Sequence, residues 1–435
     1  MSYAEKILSI SWDDLPDEVQ NQSIRCLKDI IATSAGSMLL PVSGQAGELI
    51  NSQYGNGNVP LWFRDKSTSF VGAAFYNALT IDSLDCHDGF RPNKGHAGAT
   101  VVPLAVGACS KRPVEGKELL TAIVIGYEVA CRSGQVIHNL YKPAFHSSGS
   151  WASLGAAAAG ARLLGVPAES FDNVLGITEY YSPISPILRC TASPGVVKGG
   201  AGAGGWAAAT ALQMYENNMP GLPSIFNSEP SGKKQIASFG QDWMIMRQYF
   251  KLYPVCRWSQ PAVEGVLYLK EKYKFCHEEI ESIEISTFKE AATLGGFQYP
   301  PKHSDAAQFS MPWTVAAVLI DNQLGIEQIH PNRLCDPEII KLGRKVKTRV
   351  SEEIQKRFPQ ECLAKVEILL KDGRMLKGQV MPARGEHTNP FTKEQMDEKF
   401  NVLVTNSLGQ QKCSLLNKIL ETLPERSVCD LLTLL

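Results

Sequence analysis

The sequence predicts a mainly α protein, a large all-helical domain joined to a smaller α+β domain. Three observations carry this. The chain has 435 residues, beyond the roughly 250–300 at which single cores stop growing, so more than one domain is expected. Helical periodicity dominates up to about residue 270. Beyond about 272, apolar and polar residues alternate at period two, interleaved with further helical stretches, as in an α+β domain.

Taken in order, "VQNQSIRCLKDIIATSAGSML" places Val19, Ile24, Leu27, Ile30 and Ile31 on one helical stripe. "ATVVPLAVGA" (99–108), "GKELLTAIVIGYEVACRSGQVI" (116–137) and "WASLGAAAAGARLLGV" (151–166) also read as helices. The last is so rich in Ala and Gly that neighbours can approach closely, which places it inside the helical domain. "IESIEISTF" (280–288) alternates like a strand, and "AKVEILLKDGRMLKGQVM" (364–381) is two strands joined by Asp372-Gly373, a hairpin signal. Between them, 305–324 and 336–358 read as helices. "NPFTKEQMDEKFNVLVTNSL" (389–408) returns to helix, with Thr392 and Gln395 spaced as a capping box. The expected domains are 1–270 with 395–435, and 271–394.

Composition narrows the function. With 43 basic and 44 acidic residues, nothing steers the chain toward nucleic acid or an anionic membrane. Eleven scattered cysteines without a C-x-x-C pair suit reduced thiols rather than a disulfide framework or structural zinc. The opening residues lack a basic and then apolar leader, and no run is long enough to span a membrane. A cytoplasmic enzyme is the expectation.

The chemistry concentrates in four stretches. "LDCHDGFRPNKGHAG" gathers Asp85, His87, Asp88, Arg91, Lys94 and His96 ahead of a buried helix. Its spacing fits no standard metal motif, so no metal is expected. Its cations stand beside glycines that let backbone approach a ligand. "YKPAFHSSGSW" sets His146 before a helix start capped by Ser148 or Ser150, where free N–H groups favour an anion. "VVKGGAGAGGW" contains a literal G-x-G-x-x-G at Gly200, Gly202 and Gly205 without the strand a dinucleotide site needs. The glycines are expected to serve helix packing, with Lys198 as a carboxylate anchor. "YPVCRWSQPAVEG" brings Arg257, suited to a bidentate grip on a carboxylate, and Gln260 to a helix start. His138, His277, His330 and His387 sit in loop-like or surface contexts and suggest no chemistry; His303, ahead of the apolar helix at 305, is the one further candidate among these.

Together, "DCHDGF", "GHAGATVVPLAVG", "FHSSGSWASLGAAAAGARLLG", "VVKGGAGAGGWAAATALQ", "YPVCRWSQPAVEG", "AQFSMPWTVAAVLIDN" and "LKDGRMLKGQV" with "NPFTKEQMDEKF" resemble the MmgE/PrpD family over essentially the whole chain. That family includes 2-methylcitrate dehydratase, cis-aconitate decarboxylase and iminodisuccinate epimerase. The resemblance implies a discontinuous helical domain, an α+β lid, a site at their junction, no cofactor and a homodimer. It puts catalytic roles on Asp88, His96, His146 and Lys198, with Asp85 ahead of them; read from their own stretches, Arg91, Lys94, Arg257 and Gln260 are expected with Asp85 around the substrate. The stretch from Asp85 to Pro103 is closest to the epimerase branch. Two departures stand out: Ser147 replaces a proline after His146, and Gln260 replaces a histidine, removing a proton carrier.

The expected reaction is proton abstraction α to a carboxylate. His146 or His96 acts as base, positioned by Asp88, and Lys198 and Arg257 offset the developing charge. The outcome expected is dehydration of a hydroxy di- or tricarboxylate. Epimerisation or decarboxylation at the same site, or polycarboxylate binding without catalysis, are the alternatives.

Overall fold

The computed structural model describes residues 2–140, 145–191, 197–198, 200–293 and 299–435. The chain divides into two compact units, Met1–Arg189, Lys198–Phe250 and Thr392–Leu435 forming the first, and Cys190–Val197 with Lys251–Phe391 the second.

The principal helices of the first unit are α1 (Asp17–Ser37), α2 (Phe70–Leu84), α3 (Gly98–Cys109), α4 (Gly116–Leu140), α5 (Ser148–Leu163), α6 (Ala168–Tyr181) and α7 (Ala201–Glu216). On α1, Val19, Leu27, Ile30 and Ile31 of the apolar stripe are inaccessible, as is Cys26, while Ile24 is half-buried. Every residue of α3 is buried, and α5 is buried almost throughout. Small side chains explain how so many helices share one core. A Cβ on Gly155 of α5 would stand 2.1 Å from the Gly126 carbonyl of α4, so only glycine lets these two backbones meet. Of the G-x-G-x-x-G stretch, Gly202 and Gly205 lie on α7 and do the same work, while Gly200 is its N-cap. A Cβ on Gly205 would stand 2.7 Å from the Ala74 carbonyl of α2.

In the second unit, α8 (Gln260–Tyr273) is followed by β1 (Ile280–Thr287), α9 (Met311–Asp321), β2 (Val346–Val350), β3 (Leu363–Leu370) and β4 (Met375–Pro382). The four-stranded sheet has the order β2-β1-β3-β4. β2 runs parallel to β1 and the other pairs are antiparallel. Gly373, at φ 88°, turns the β3–β4 hairpin, with the Leu370 and Arg374 main chains bonded across it. Helix α8 packs on that hairpin, where a Cβ on Gly265 would stand 2.8 Å from Val366. Residues 251–270, expected with the helical domain, therefore lie in the second unit.

Two helix expectations need correction. The stretch 305–324 is two helices, Ser304–Gln308 and α9, because the Ser310 hydroxyl accepts from Trp313 N–H at 3.3 Å and starts a new helix with Pro312 in its first turn. The stretch 336–358 contains two short helices, Pro337–Gly343 and Glu352–Arg357, with β2 between them. "VKTRV" alternates β-branched residues with charged ones, and pairing with β1 overrides its helical charge pattern.

The chain then returns to the first unit with α10 (Lys393–Leu408) and α11 (Gln410–Glu421). The capping box at the start of α10 is present, with the Thr392 hydroxyl accepting from Gln395 N–H at 3.3 Å and the Gln395 side chain accepting from Thr392 N–H at 3.1 Å. None of the eleven cysteines is in a disulfide. Among the described residues, no helix is long and apolar enough to cross a membrane.

Candidate functional site

Helix α2 ends where Asp85 adopts a left-handed conformation, φ 54°, and the next five residues are buried. This turn folds the polar loop back on the helix end. His87 Nε2 then lies 3.7 Å from Asp82 Oδ1 and His96 Nε2 3.8 Å from Asp85 Oδ1. The two imidazoles meet edge to face, 4.4 Å between centroids. Both reach the same main-chain acceptor, the Asp88 carbonyl, through Nδ1: 2.5 Å for His96 and 3.2 Å for His87. A carbonyl only accepts, so each Nδ1 carries a proton, and in the neutral form of either ring the lone pair is on Nε2. The far end of the loop is fixed by reciprocal main-chain bonds between Gly89 and Tyr249, 2.9 and 2.8 Å.

Asp88 thus acts differently from the expectation. Its carbonyl orients the histidines, while its carboxyl is fully buried with the Tyr127 hydroxyl alongside. Burial first, then the neighbouring Asp29 charge, push its pKa up to about 7. It contributes no open wall to a ligand. Asp82, which sequence reasoning passed over, is the carboxylate at the centre of the cluster. Burial opposes its charge, but His87, Lys198 and His96 together hold its pKa below the ordinary value. Its Oδ2 also accepts from Ala201 N–H at the start of α7, at 3.4 Å. This contact brings in the segment carrying Lys198, where Gly200 turns at φ 86°. The signal for Asp82 was an acid placed in the last turn of an otherwise apolar helix.

His146 is buried at the entrance to α5. Its N–H donates to His138 Nδ1 at 3.1 Å, and the two rings stack with centroids 5.8 Å apart. His138 must therefore carry its proton on Nε2, which donates to the Asn93 carbonyl at 3.1 Å. Burial above all drives the His138 pKa down to about 4, so this ring is neutral near pH 7. The loop-like, surface context expected for His138 is thus corrected. It continues α4 one turn beyond Gly134, and both residues face Asn93. The expected Ser148 cap is absent; Ser147 holds the N-cap position without a side-chain bond, and the Ser148 hydroxyl instead accepts from His96 N–H at 3.0 Å. That bond joins the His96 loop to the segment of His146. Lys94 lies over the Phe145 ring, 3.3 Å from its centroid, and half-buried Arg91 opens the short turn Arg91–Asn93. The first unit therefore brings together Asp85, His87, Asp88, His96, Lys198 and, through Ser148, the His146 segment.

Arg257 and Gln260 belong to the second unit and contact each other. Arg257 Nη1 donates to Gln260 Oε1 at 2.9 Å and to the Arg384 carbonyl at 2.5 Å. Its Nη2 pairs with Glu386 Oε1 at 2.9 Å, both side chains buried. Gln260 Nε2 donates to the carbonyls of Tyr253 and Val255 at 3.4 and 3.3 Å. This is a built buried ion pair rather than the surface bridge a lone arginine often makes. Among the described residues, no group of three or more His, Cys, Asp or Glu side chains is arranged as a metal site.

A cis-aconitate decarboxylase of Aspergillus terreus is 24% identical over 433 aligned residues, covering 91% of this chain and 87% of that protein. A cis-aconitate decarboxylase of Homo sapiens is 23% identical, covering 100% of this chain and 93% of that one. Residues 2–245 match the MmgE/PrpD N-terminal domain and residues 253–423 the MmgE/PrpD C-terminal domain, and the chain is an enzyme of the MmgE/PrpD family.

Proposed function

We propose that this enzyme is a lyase acting without a cofactor on a small di- or tricarboxylate, with His96 as the proton carrier. The observation that carries the reading is the placement of two imidazoles of fixed tautomer and the Lys198 charge around Asp82. His96 is favoured because its side chain retains 17% exposure, whereas His87 is sealed. In dehydration, Nε2 of His96 takes the proton from the carbon α to a carboxylate. The released electron pair forms the C=C bond, and hydroxide leaves the neighbouring carbon as water with a proton from a second acid, His146. Asp85, 3.8 Å from Nε2, stabilises the imidazolium, and Lys198 offsets charge developing on the substrate carboxylate.

Decarboxylation is the second reading, favoured by the names of both relatives and by the loss of a proton-carrying imidazole at Gln260. There CO2 departs, its bonding electron pair stays on carbon, and an imidazolium returns one proton to that carbon. Incubation with 2-methylcitrate, cis-aconitate and iminodisuccinate, following alkene absorbance, CO2 release and chiral composition, separates dehydration, decarboxylation and epimerisation. Failure to turn over any of them, with no α-proton exchange into D2O, would leave only a binding protein.

A further inference from the structure

Behind the histidine loop lies a chain of contacts that the proposed chemistry does not use. Helix α10 sends Lys399 into the first unit, where it is 7% exposed. Its Nζ donates to Asp29 Oδ1 on α1 at 2.5 Å and to the Cys86 carbonyl at 2.5 Å. The other Asp29 oxygen accepts from Asp88 N–H at 2.8 Å. The carbonyl of that same Asp88 holds Nδ1 of His96 and of His87. One buried ion pair, made by two helices far apart in sequence, thus grips residues 86–88 at both ends, directly beneath the imidazoles.

Stability is a poor reason for this pair. Removing two charges from water is costly, and apolar replacement of such pairs is often neutral or stabilising. What the pair supplies is geometry. An N–H donor and a carboxylate oxygen fix the loop main chain more sharply than apolar packing would. The Asp88 carbonyl must be fixed if it is to select one imidazole tautomer.

We propose that Lys399, acting through Asp29 and the Cys86 and Asp88 main chain, is a positioning residue for His96. It holds the Asp88 carbonyl where it keeps the proton on Nδ1 and leaves Nε2 as the reacting atom. The inference rests on the lyase reading for its kinetic consequence but not for its structural one. The ionisable groups around the pair are Arg25, Cys26 and Asp29 from α1, Cys86, His87 and Asp88 from the loop, and Tyr127 from α4.

The test compares Lys399→Met, Lys399→Arg and the double variant Asp29→Asn/Lys399→Met with the parent enzyme. Two-bond proton–nitrogen spectra of 15N-histidine protein read the His96 tautomer without any substrate. Lys399→Met is expected to mix the His96 tautomers, lower kcat by about 10- to 10²-fold with little change in KM, and shift the pH profile of kcat/KM, as displacement of a reacting group does. Lys399→Arg, which keeps the charge and the donors, is expected to restore the tautomer and most of kcat. If Lys399→Met alone does not fold because Asp29 is stranded, the double variant removes both charges while the new side-chain amide still accepts from Asp88 N–H, and the same tautomer mixing is expected. A parent-like tautomer, kcat and pH profile in either folded variant would overturn the proposal while leaving the lyase reading intact. A changed tautomer in a protein that turns over none of the carboxylates would do the reverse.

Discussion

His96 in the first unit and Arg257 in the second both come from short polar stretches beside a helix start, and both look like groups aimed at a carboxylate. Their surroundings differ. The His96 ring is fixed from behind by one main-chain carbonyl, and its Nε2 faces Asp85 at 3.8 Å with the side chain part-exposed. Arg257 donates to Glu386, Gln260 and the Arg384 carbonyl from a buried position. His96 is held by a main-chain carbonyl with its other ring nitrogen toward Asp85, whereas Arg257 is committed at each end of its guanidinium and fixes its own neighbourhood. Residue type does not separate these cases; partners and burial do.

The largest effect expected from breaking this contrast is on stability. Arg257→Met leaves Glu386 buried without its cation and should cost about 3–5 kcal/mol, read by denaturant unfolding; a loss below about 1 kcal/mol would mean the pair is not the structural element described. Next, His96→Ala should lower kcat on the order of 10²-fold or more while the melting temperature stays near that of the parent. A His96→Ala enzyme with parent-like turnover would move the base to His146. Lys198→Ala should raise KM and lower kcat by about tenfold each, since an anchoring charge serves ground and transition states alike.

The fourth prediction concerns pH. Asp88 has a folded pKa of about 7, above its value in the unfolded chain near about 3.9. Between these two values the folded state holds the proton more tightly, so this group's contribution to stability is greatest below about pH 4 and declines as pH rises toward 7. Subtracting the stability–pH curve of Asp88→Asn from that of the parent should show this fall. A flat difference would contradict it. His138 works in the opposite sense: its pKa of about 4 lies below the unfolded value of about 6.5, so its contribution falls as pH drops from about 6.5 to about 4. The smallest effect is expected from Gln260→His. It restores an imidazole beside Arg257 and should raise dehydration of a citrate-type substrate relative to decarboxylation; an unchanged product ratio would remove residue 260 from the control of outcome.

The sequence carried the fold class because periodicity and caps are local. The stripe of α1, the Asp372-Gly373 hairpin and the Thr392–Gln395 box each lie within a few residues and need no partner to be read. β2 was missed because "VKTRV" becomes a strand only when β1 offers it a ladder. The small residues of α5 and α7 signalled close packing, but which backbones they approach, Gly126 and Ala74, is a matter of three dimensions.

For the site, the sequence determined which residue types were available: histidines, carboxylates and Lys198 clustered by motif. It could not determine which atom of each is used. Asp88 works through its carbonyl, a group every residue possesses, and its charge is turned into the core. Asp82 and His138 sat inside helices and acquired partners only when Ala201, Lys198, Asn93 and His146 arrived from other parts of the chain. Lys399 is separated from Asp29 by 370 positions. Hydrogen bonds and ion pairs act over a few ångströms of space whatever the distance along the chain, so tautomer, burial and partner are decided only once the helices have packed.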